Sequence, residues 1–344
     1  MSQLTDDSVH AGSPLALYKS RFDRWDTMSW VRAKSHHVEP FEDGLDMFPQ
    51  TLAVLFTHPE VHALDADNRA RLLALHLYDF LERTIWLELG PVNEACDMLR
   101  RDDFLPWLPV PMKDDALKIY VDEGAHAEMS RALMILVEKA TGVRPARVVP
   151  EFIRVIDRLC VRHGPEHHPF IKLFFAIVSE TLITGTLIVL PRDQTIQKAV
   201  RSFATDHAAD EAKHHAYFRD VFETVWPRLT PDARLTASLW LPEILVSFLR
   251  PDVNAMTAML GAMPCAFTDP ARIAADVVAT PATHAAIQAA ARPTLQLFLD
   301  NGVFDDPRVV DAFWLAGIEP SPGGGLAGRA AHPAGGQECH AQRG

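Results

Sequence analysis

Cysteine is scarce in this chain: its four copies, Cys96, Cys160, Cys265 and Cys339, lie far apart and form no CxxC pair. Neither a disulfide framework nor a thiolate zinc site is expected, and the pattern fits a reducing, cytoplasmic setting. Basic residues are also in deficit, with 33 Lys and Arg against 45 Asp and Glu and a formal charge of -12. A nucleic-acid surface needs a concentrated basic patch, so no nucleic-acid partner is expected. A small anionic ligand stays open, because one buried arginine outweighs a diffuse negative field. The first thirty residues lack the apolar stretch of an export signal. The longest apolar run, LFFAIVSE (173–180) continued by TLITGTLIVL (181–190), is interrupted by Glu180 and bracketed by Lys172 and Arg192. It reads as a buried core helix, not a membrane span. The glycines of PSPGGGLAG have no lysine or strand–helix context for a phosphate loop. Strand signals are nearly missing throughout.

What remains is helical periodicity. Long apolar patterns at helical spacing cover 67–101, with a kink expected near Gly90 because Pro91 follows it. Further helices are expected at 114–140, 146–164, 171–190 and 194–229, then at 231–262, 272–302 and 309–318. A short amphipathic helix is read at 21–34. The chain is therefore expected to be all-α, with one helical domain over 1–319. The remainder, 320–344, is rich in Gly, Ala and Pro, has nothing to bury, and is expected to be disordered.

Seven side chains stand out against this background. DEGAHAE (122–128) sets Glu123 and His126 three residues apart, on one helix face. HAADEAKHHAYF (207–218) repeats the pair as Glu211 and His214 and adds His207 one turn earlier. Either ExxH alone arises often by chance, and His207 alone reads equally well as a surface histidine. A four-helix dimetal site, however, takes one Glu from each of two helices and ExxH from each of the other two. Glu88 and Glu180 complete that order: Glu, ExxH, Glu, ExxH. Both sit in apolar surroundings, TIWLELG and FFAIVSETLI, where an unpartnered carboxylate is costly. Depth agrees as well: at 1.5 Å per residue, Glu88 about 13 residues before one helix end and Glu123 about 10 after the next start meet in an antiparallel hairpin.

Charge closes too, since four carboxylates neutralise two divalent ions, and oxygen with imidazole donors suits iron or manganese. Glu123 and Glu211 are placed to bridge the ions, with Glu88 and Glu180 outside them. Asp122, Asp206 and Asp210 are candidates to orient the ligand imidazoles. Glu94, Glu128 and His215 point away from the expected ligand faces, and His36, His37, His167 and His168 read as loop residues.

On ERTIWLE (82–88), YVDEGAHAE (120–128), SE (179–180) and HAADEAKHH (207–215), the chain resembles the diiron arylamine N-oxygenases, over about residues 20 to 310. The histidine one turn before the last ExxH makes the likeness specific. The resemblance implies a ferritin-like four-helix-bundle core with additional packed helices, and a homodimer. It implies two Fe ions per chain, O2 as co-substrate and an external electron donor. The small-molecule amine, free or carrier-protein-bound, would be oxidised through hydroxylamine and nitroso to nitro. Carried over by position, Glu88, Glu123, His126, Glu180, His207, Glu211 and His214 would be the iron ligands. Arg83 and Thr184 would fall near the place where a substrate carboxylate is held. Arg83 reads equally as a helix-surface salt bridge, and Thr184 stands where an amide is expected. A hydroxylase or desaturase acting at carbon, and an iron-storage protein, are the rival readings.

Overall fold

The structure, a computed structural model, describes residues 18–33, 39–182 and 184–320, without the side chains of 184–186. The expectation of disorder over 320–344 falls almost wholly outside those residues, as do His36, His37, Cys339 and the side chain of Thr184. Among the described residues there is no strand, and the fold is all-α.

Two short helices, α1 (Trp25–Met28) and α2 (Trp30–Ala33), replace the single one expected over 21–34. After α3 (Pro59–His62) comes α4 (Ala66–Leu87), started by Asp65, whose carboxylate accepts from the Asn68 N–H at 2.8 Å. The expected kink is there. Glu88–Val92 form a π-turn, with Gly90 at φ -97° and ψ -111°, and the chain resumes as α5 (Asn93–Leu99). Pro91 has no N–H to offer the helix ladder, so the wider turn absorbs the break. The next element, α6 (Val110–Thr141), runs 32 residues and ends on Gly142, which adopts φ +67° to close the last turn.

Beyond it lie α7 (Glu151–Arg162), α8 (His168–Leu182), α9 (Thr184–Val189) and α10 (Lys198–Val225). The patterns at 231–262 and 272–302 each split in two. The first becomes α11 (Pro231–Leu249) and α12 (Val253–Gly261); the second becomes α13 (Pro270–Val278) and α14 (Pro281–Asp300). Each split has a local cause: Asp252 and Thr280 cap the following helix through their side chains. The last helix is α15 (Pro307–Leu315).

The bundle core is α4–α5, α6, α8–α9 and α10. Helix α4 packs along α6, α8 along α10, and α6 crosses to α10. From Phe170 to Leu182 every residue of α8 except Lys172 is buried, which is why its pattern is apolar all round. The stretch Pro165–Arg192 is long and apolar enough to cross a membrane, but 86% of its most apolar window is buried inside the fold, under α11, α14 and α10.

Two apolar clusters divide the bundle. Along α6, Met112, Ala116 and Ile119 belong to one and Met129, Leu133 and Val137 to the other. Along α10, Val200, Phe203 and Ala204 belong to the second and Tyr217, Phe218 and Val221 to the first. Between the two clusters both helices present acids and imidazoles. Burying each Leu, Phe or Val contributes about 1.5–3 kcal/mol, so a polar layer here is held in place by apolar packing above and below it.

Candidate metal centre

All seven side chains singled out in the sequence are buried, with Glu88, Glu123, His126, Glu180, His207 and His214 at 0% exposure and Glu211 at 1%. Glu88 opens the π-turn after α4, Glu123 and His126 come from α6, and Glu180 from α8. His207, Glu211 and His214 share one face of α10. The Nε2 atom of His207 is 3.0 Å from Glu88 Oε1 and 3.1 Å from Glu211 Oε1. His126 Nδ1 is 3.4 Å from both Glu123 Oε2 and Glu211 Oε1. His214 Nδ1 is 3.0 Å from Glu123 Oε1, 3.3 Å from Glu211 Oε1 and 4.0 Å from Glu180 Oε2.

Two quartets of donor atoms result, each with all its members within 4.8 Å of one another: Glu88, His126, His207 and Glu211, and Glu123, His126, Glu211 and His214. Glu211 and His126 belong to both. Sequence reasoning put Glu123 beside Glu211 between the two positions; here its donor belongs to one quartet only. Glu180 stands at the edge, near His214, in neither quartet.

The fit to cations can be judged from the polar atoms left over. Both oxygens of Glu88 and of Glu180, Glu123 Oε1, Glu211 Oε2, His207 Nδ1 and His214 Nδ1 are buried without a hydrogen-bond partner. Buried polar atoms are otherwise almost always satisfied, and this many in one layer call for a ligand. The donors are carboxylate oxygens and imidazole nitrogens with no thiolate, a set suited to iron or manganese.

Electrostatics tells the same story. Burial pushes Glu88 up to about 7 and, with Glu211 and Glu123 alongside, Glu180 well above the carboxylate range. Against the same burial, the imidazoles of His214, His126 and His207 hold Glu211 well below it. His126 and His214 rise well above 6.5 despite burial, through the acids around them. Cations held at this place would favour the carboxylates ionised and the imidazoles neutral, so that their binding releases protons.

An outer layer fixes the rings. Asp122 lies 3.4 Å from His214 Nε2 and accepts from Ser29 Oγ at 2.5 Å and from Trp25 Nε1 at 2.9 Å to each oxygen. Asp210 lies 3.6 Å from His126 Nε2 and accepts from the Trp30 N–H at 3.1 Å and Lys213 Nζ at 2.8 Å. Asp122 and Asp210 thus take the orienting place expected of them, while Asp206 is only half-buried. Glu94 is exposed and paired with Lys172, and Glu128 is exposed. Sequence reasoning missed Trp25 and Ser29. No local signal marks them, since their partner is more than ninety residues away.

A cavity of about 600 Å³ is lined by Leu87, the neighbour of Glu88, and by Leu182, two residues from Glu180, though by none of the seven donors themselves. One wall is a face of α4 carrying His76, Asp79, Arg83, Thr84 and Leu87; Leu182, two residues past Glu180, lies on another. Arg83 donates to the Phe248 carbonyl at 3.0 Å and lies over the Phe152 ring at 5.6 Å. Burial raises Asp79 to about 6, with Arg83 opposing. The rest of the rim comes from the segment holding Phe48 and Leu52, from Phe152 of α7, and from α11, α12 and α14. The cavity could not be read from the sequence, because its walls come from segments more than two hundred residues apart.

Comparison with known proteins adds a family. Residues 25–302 match the sequence pattern described as "P-aminobenzoate N-oxygenase AurF". A 4-aminobenzoate N-oxygenase from Streptomyces thioluteus is 25% identical over 227 residues, covering 62% of this chain. The match spans 65% of that relative's own length.

Proposed function

This chain belongs to the p-aminobenzoate N-oxygenase family, and from that premise we propose that it is an O2-dependent diiron monooxygenase acting on the nitrogen of an aromatic amine. The product sequence is hydroxylamine, nitroso and nitro. The observation that carries this reading is the pair of buried, overlapping donor quartets beside a cavity large enough for a substrate. Glu88, Glu123, His126, His207, Glu211 and His214, the members of the two quartets, would hold the two ions, with Glu180, 4.0 Å from His214, as the seventh ligand. An iron pair held there supplies the redox chemistry, drawing electrons from an external donor and oxygen atoms from O2.

The chain's own residues do the rest. Asp122 and Asp210 fix which ring nitrogen of His214 and His126 faces the centre. Leu87 and Leu182, next to two of the acids, exclude water from the side where substrate arrives. Arg83 offers its guanidinium to a substrate carboxylate, which turns the amine end toward the centre. A benzene-sized ligand fills a cavity of about 150 Å³; the space of about 600 Å³ here suits an arylamine larger than p-aminobenzoate, or one presented on a carrier.

The reading is tested by loading the protein anaerobically with Fe(II), then supplying isotopically labelled dioxygen and a panel of amines. The panel contains p-aminobenzoate, larger aryl amino acids and carrier-bound aminoacyl groups. Mass analysis should find label on nitrogen. Two bound irons and oxygen consumption, with label only on carbon, would refute N-oxygenation.

A further inference from the structure

The centre is fully buried, and its reading as a diiron oxygenase requires electrons from outside the chain. A hydrogen-bonded line runs from the cluster toward the surface through an indole N–H. His214 turns Nδ1 to the acids and Nε2 to Asp122, and both oxygens of Asp122 accept from the indole N–H of Trp25. Trp25 is 8% exposed, the outermost member of the line. The guanidinium of Arg32, itself 53% exposed, sits 4.6 Å over its ring. The corresponding line from His126 goes through Asp210 to the backbone N–H of Trp30 and to Lys213 Nζ, so it meets main chain and an ammonium where the His214 line meets an indole N–H.

The segment holding Trp25 is clamped to the bundle. Tyr18 and Ser20 donate to Asp115, two turns before Asp122 on α6, and Arg21 pairs with Asp220 on α10. Electron tunnelling weakens steeply across empty space and less across bonds, so a rigid hydrogen-bonded line that ends in an indole is the favoured route.

We propose that Trp25, Asp122 and His214 form the electron-entry route from an external one-electron carrier protein to the buried centre, an inference that rests on the diiron reading. Each carrier molecule loses one electron and each ferric ion gains one, so two carriers are oxidised per iron pair. The three residues end every transfer unchanged, and no covalent bond forms or breaks.

The test mixes the ferric protein with reduced plant-type ferredoxin, an acidic carrier too large to enter the cavity, and follows reduction optically. Trp25→Phe keeps a ring and removes the N–H. It should bind two irons and slow reduction about tenfold or more, the scale on which outer partners of metal ligands act. Trp314→Phe, at an exposed position of α15, should reduce at the wild-type rate. Unchanged reduction of iron-loaded Trp25→Phe overturns the route.

If that variant loses iron, Arg32→Glu decides the matter, because it changes only an exposed side chain on the indole face. It should slow reduction, while Lys139→Glu, about 26 Å further along α6 from Asp122, should not. Equal rates for the two overturn the proposal. A single turnover of chemically pre-reduced protein with oxygen and amine separates the two readings. The route stands if reduction slows as expected, whether or not nitrogen is oxidised. N-oxidation with equal reduction rates leaves the enzyme reading intact and removes the route.

Discussion

His207→Ala tests how the seven side chains divide between two ions. In the quartet next to α4, His126 and Glu211 are shared with the second quartet, so only Glu88 and His207 are exclusive to it. The substitution removes the Nε2 that stands 3.0 Å from Glu88 and 3.1 Å from Glu211. The first ion keeps three donors, a single one of them unshared, while the second keeps all four. Losing an outer partner of a ligand already costs roughly 10–100-fold in affinity, so losing a ligand should cost about 100-fold or more, about 2.7 kcal/mol. Anaerobic Fe(II) titration with elemental analysis should give two tight ions in the wild type, and one tight and one weak in the variant. The cation-free fold should survive, because His207 Nδ1 is buried without a partner and its removal relieves a cost of about 1–3 kcal/mol. Two tight ions in the variant would refute the division. So would loss of both ions from a protein that still melts cooperatively.

Three further outcomes follow from the geometry. Arg83→Met keeps chain length and removes the guanidinium on the cavity wall; KM should rise about 10- to 100-fold for carboxylate-bearing amines, the value of a charge-assisted hydrogen bond. Esters of the same amines should barely change, and an equal effect on both would sink the carboxylate contact. His76 is buried against Phe48 and Phe56, and burial lowers its pKa to about 4. The folded state then binds fewer protons than the unfolded one, so the residue's contribution is intact above about pH 6.5 and lost as pH falls toward 4, by about 2 kcal/mol at pH 5. Denaturant melts at pH 7 and pH 5 should show His76→Phe freed of that much acid sensitivity; the same pH difference in both proteins contradicts it. Gly142→Ala should cost about 1–2 kcal/mol, the penalty for a side chain in the left-handed region. A Cβ there meets nothing within 4 Å, so an unchanged melting midpoint would mean that the backbone is not the constraint.

What the sequence disclosed is what is local to one helix. Glu123 with His126, and His207 with Glu211 and His214, lie on shared helix faces by spacing alone, and the break at Gly90–Pro91 is a property of proline's missing N–H. The bounds of the long helices follow for the same reason, and the splits at Asp252 and Thr280 were missed because a capping side chain inside an apolar pattern looks like an ordinary polar position. What stayed hidden is tertiary. The clamp of Trp25 and Ser29 on Asp122 joins segments whose spacing carries no period. The cavity depends on how α11, α12 and α14 lie around the face of α4. The sharing of Glu211 by both quartets depends on distances between helices, which periodicity cannot rank against those of Glu123.

The same layering explains why such an expensive arrangement persists in a fold driven by apolar burial. Glu180 sits in the most apolar helix of the chain, and Glu88 begins the turn where the helix ladder is already broken. Glu180 has no imidazole closer than His214 at 4.0 Å, and Glu88 faces only the imidazoles of His207 and His126, so both acids are buried with little to offset their desolvation. The apolar clusters on both sides make up that deficit and keep the layer dry. Dryness in turn strengthens every interaction between the acids and a cation placed among them. Binding of ions therefore returns free energy that folding alone leaves uncollected, and the melting midpoint of the protein should rise with Fe(II) concentration as RT ln(1 + [Fe]/Kd) requires. Acids buried this deeply among apolar side chains call for positive charge beside them, and that is why two isolated glutamates in apolar helices were the most telling residues in the sequence.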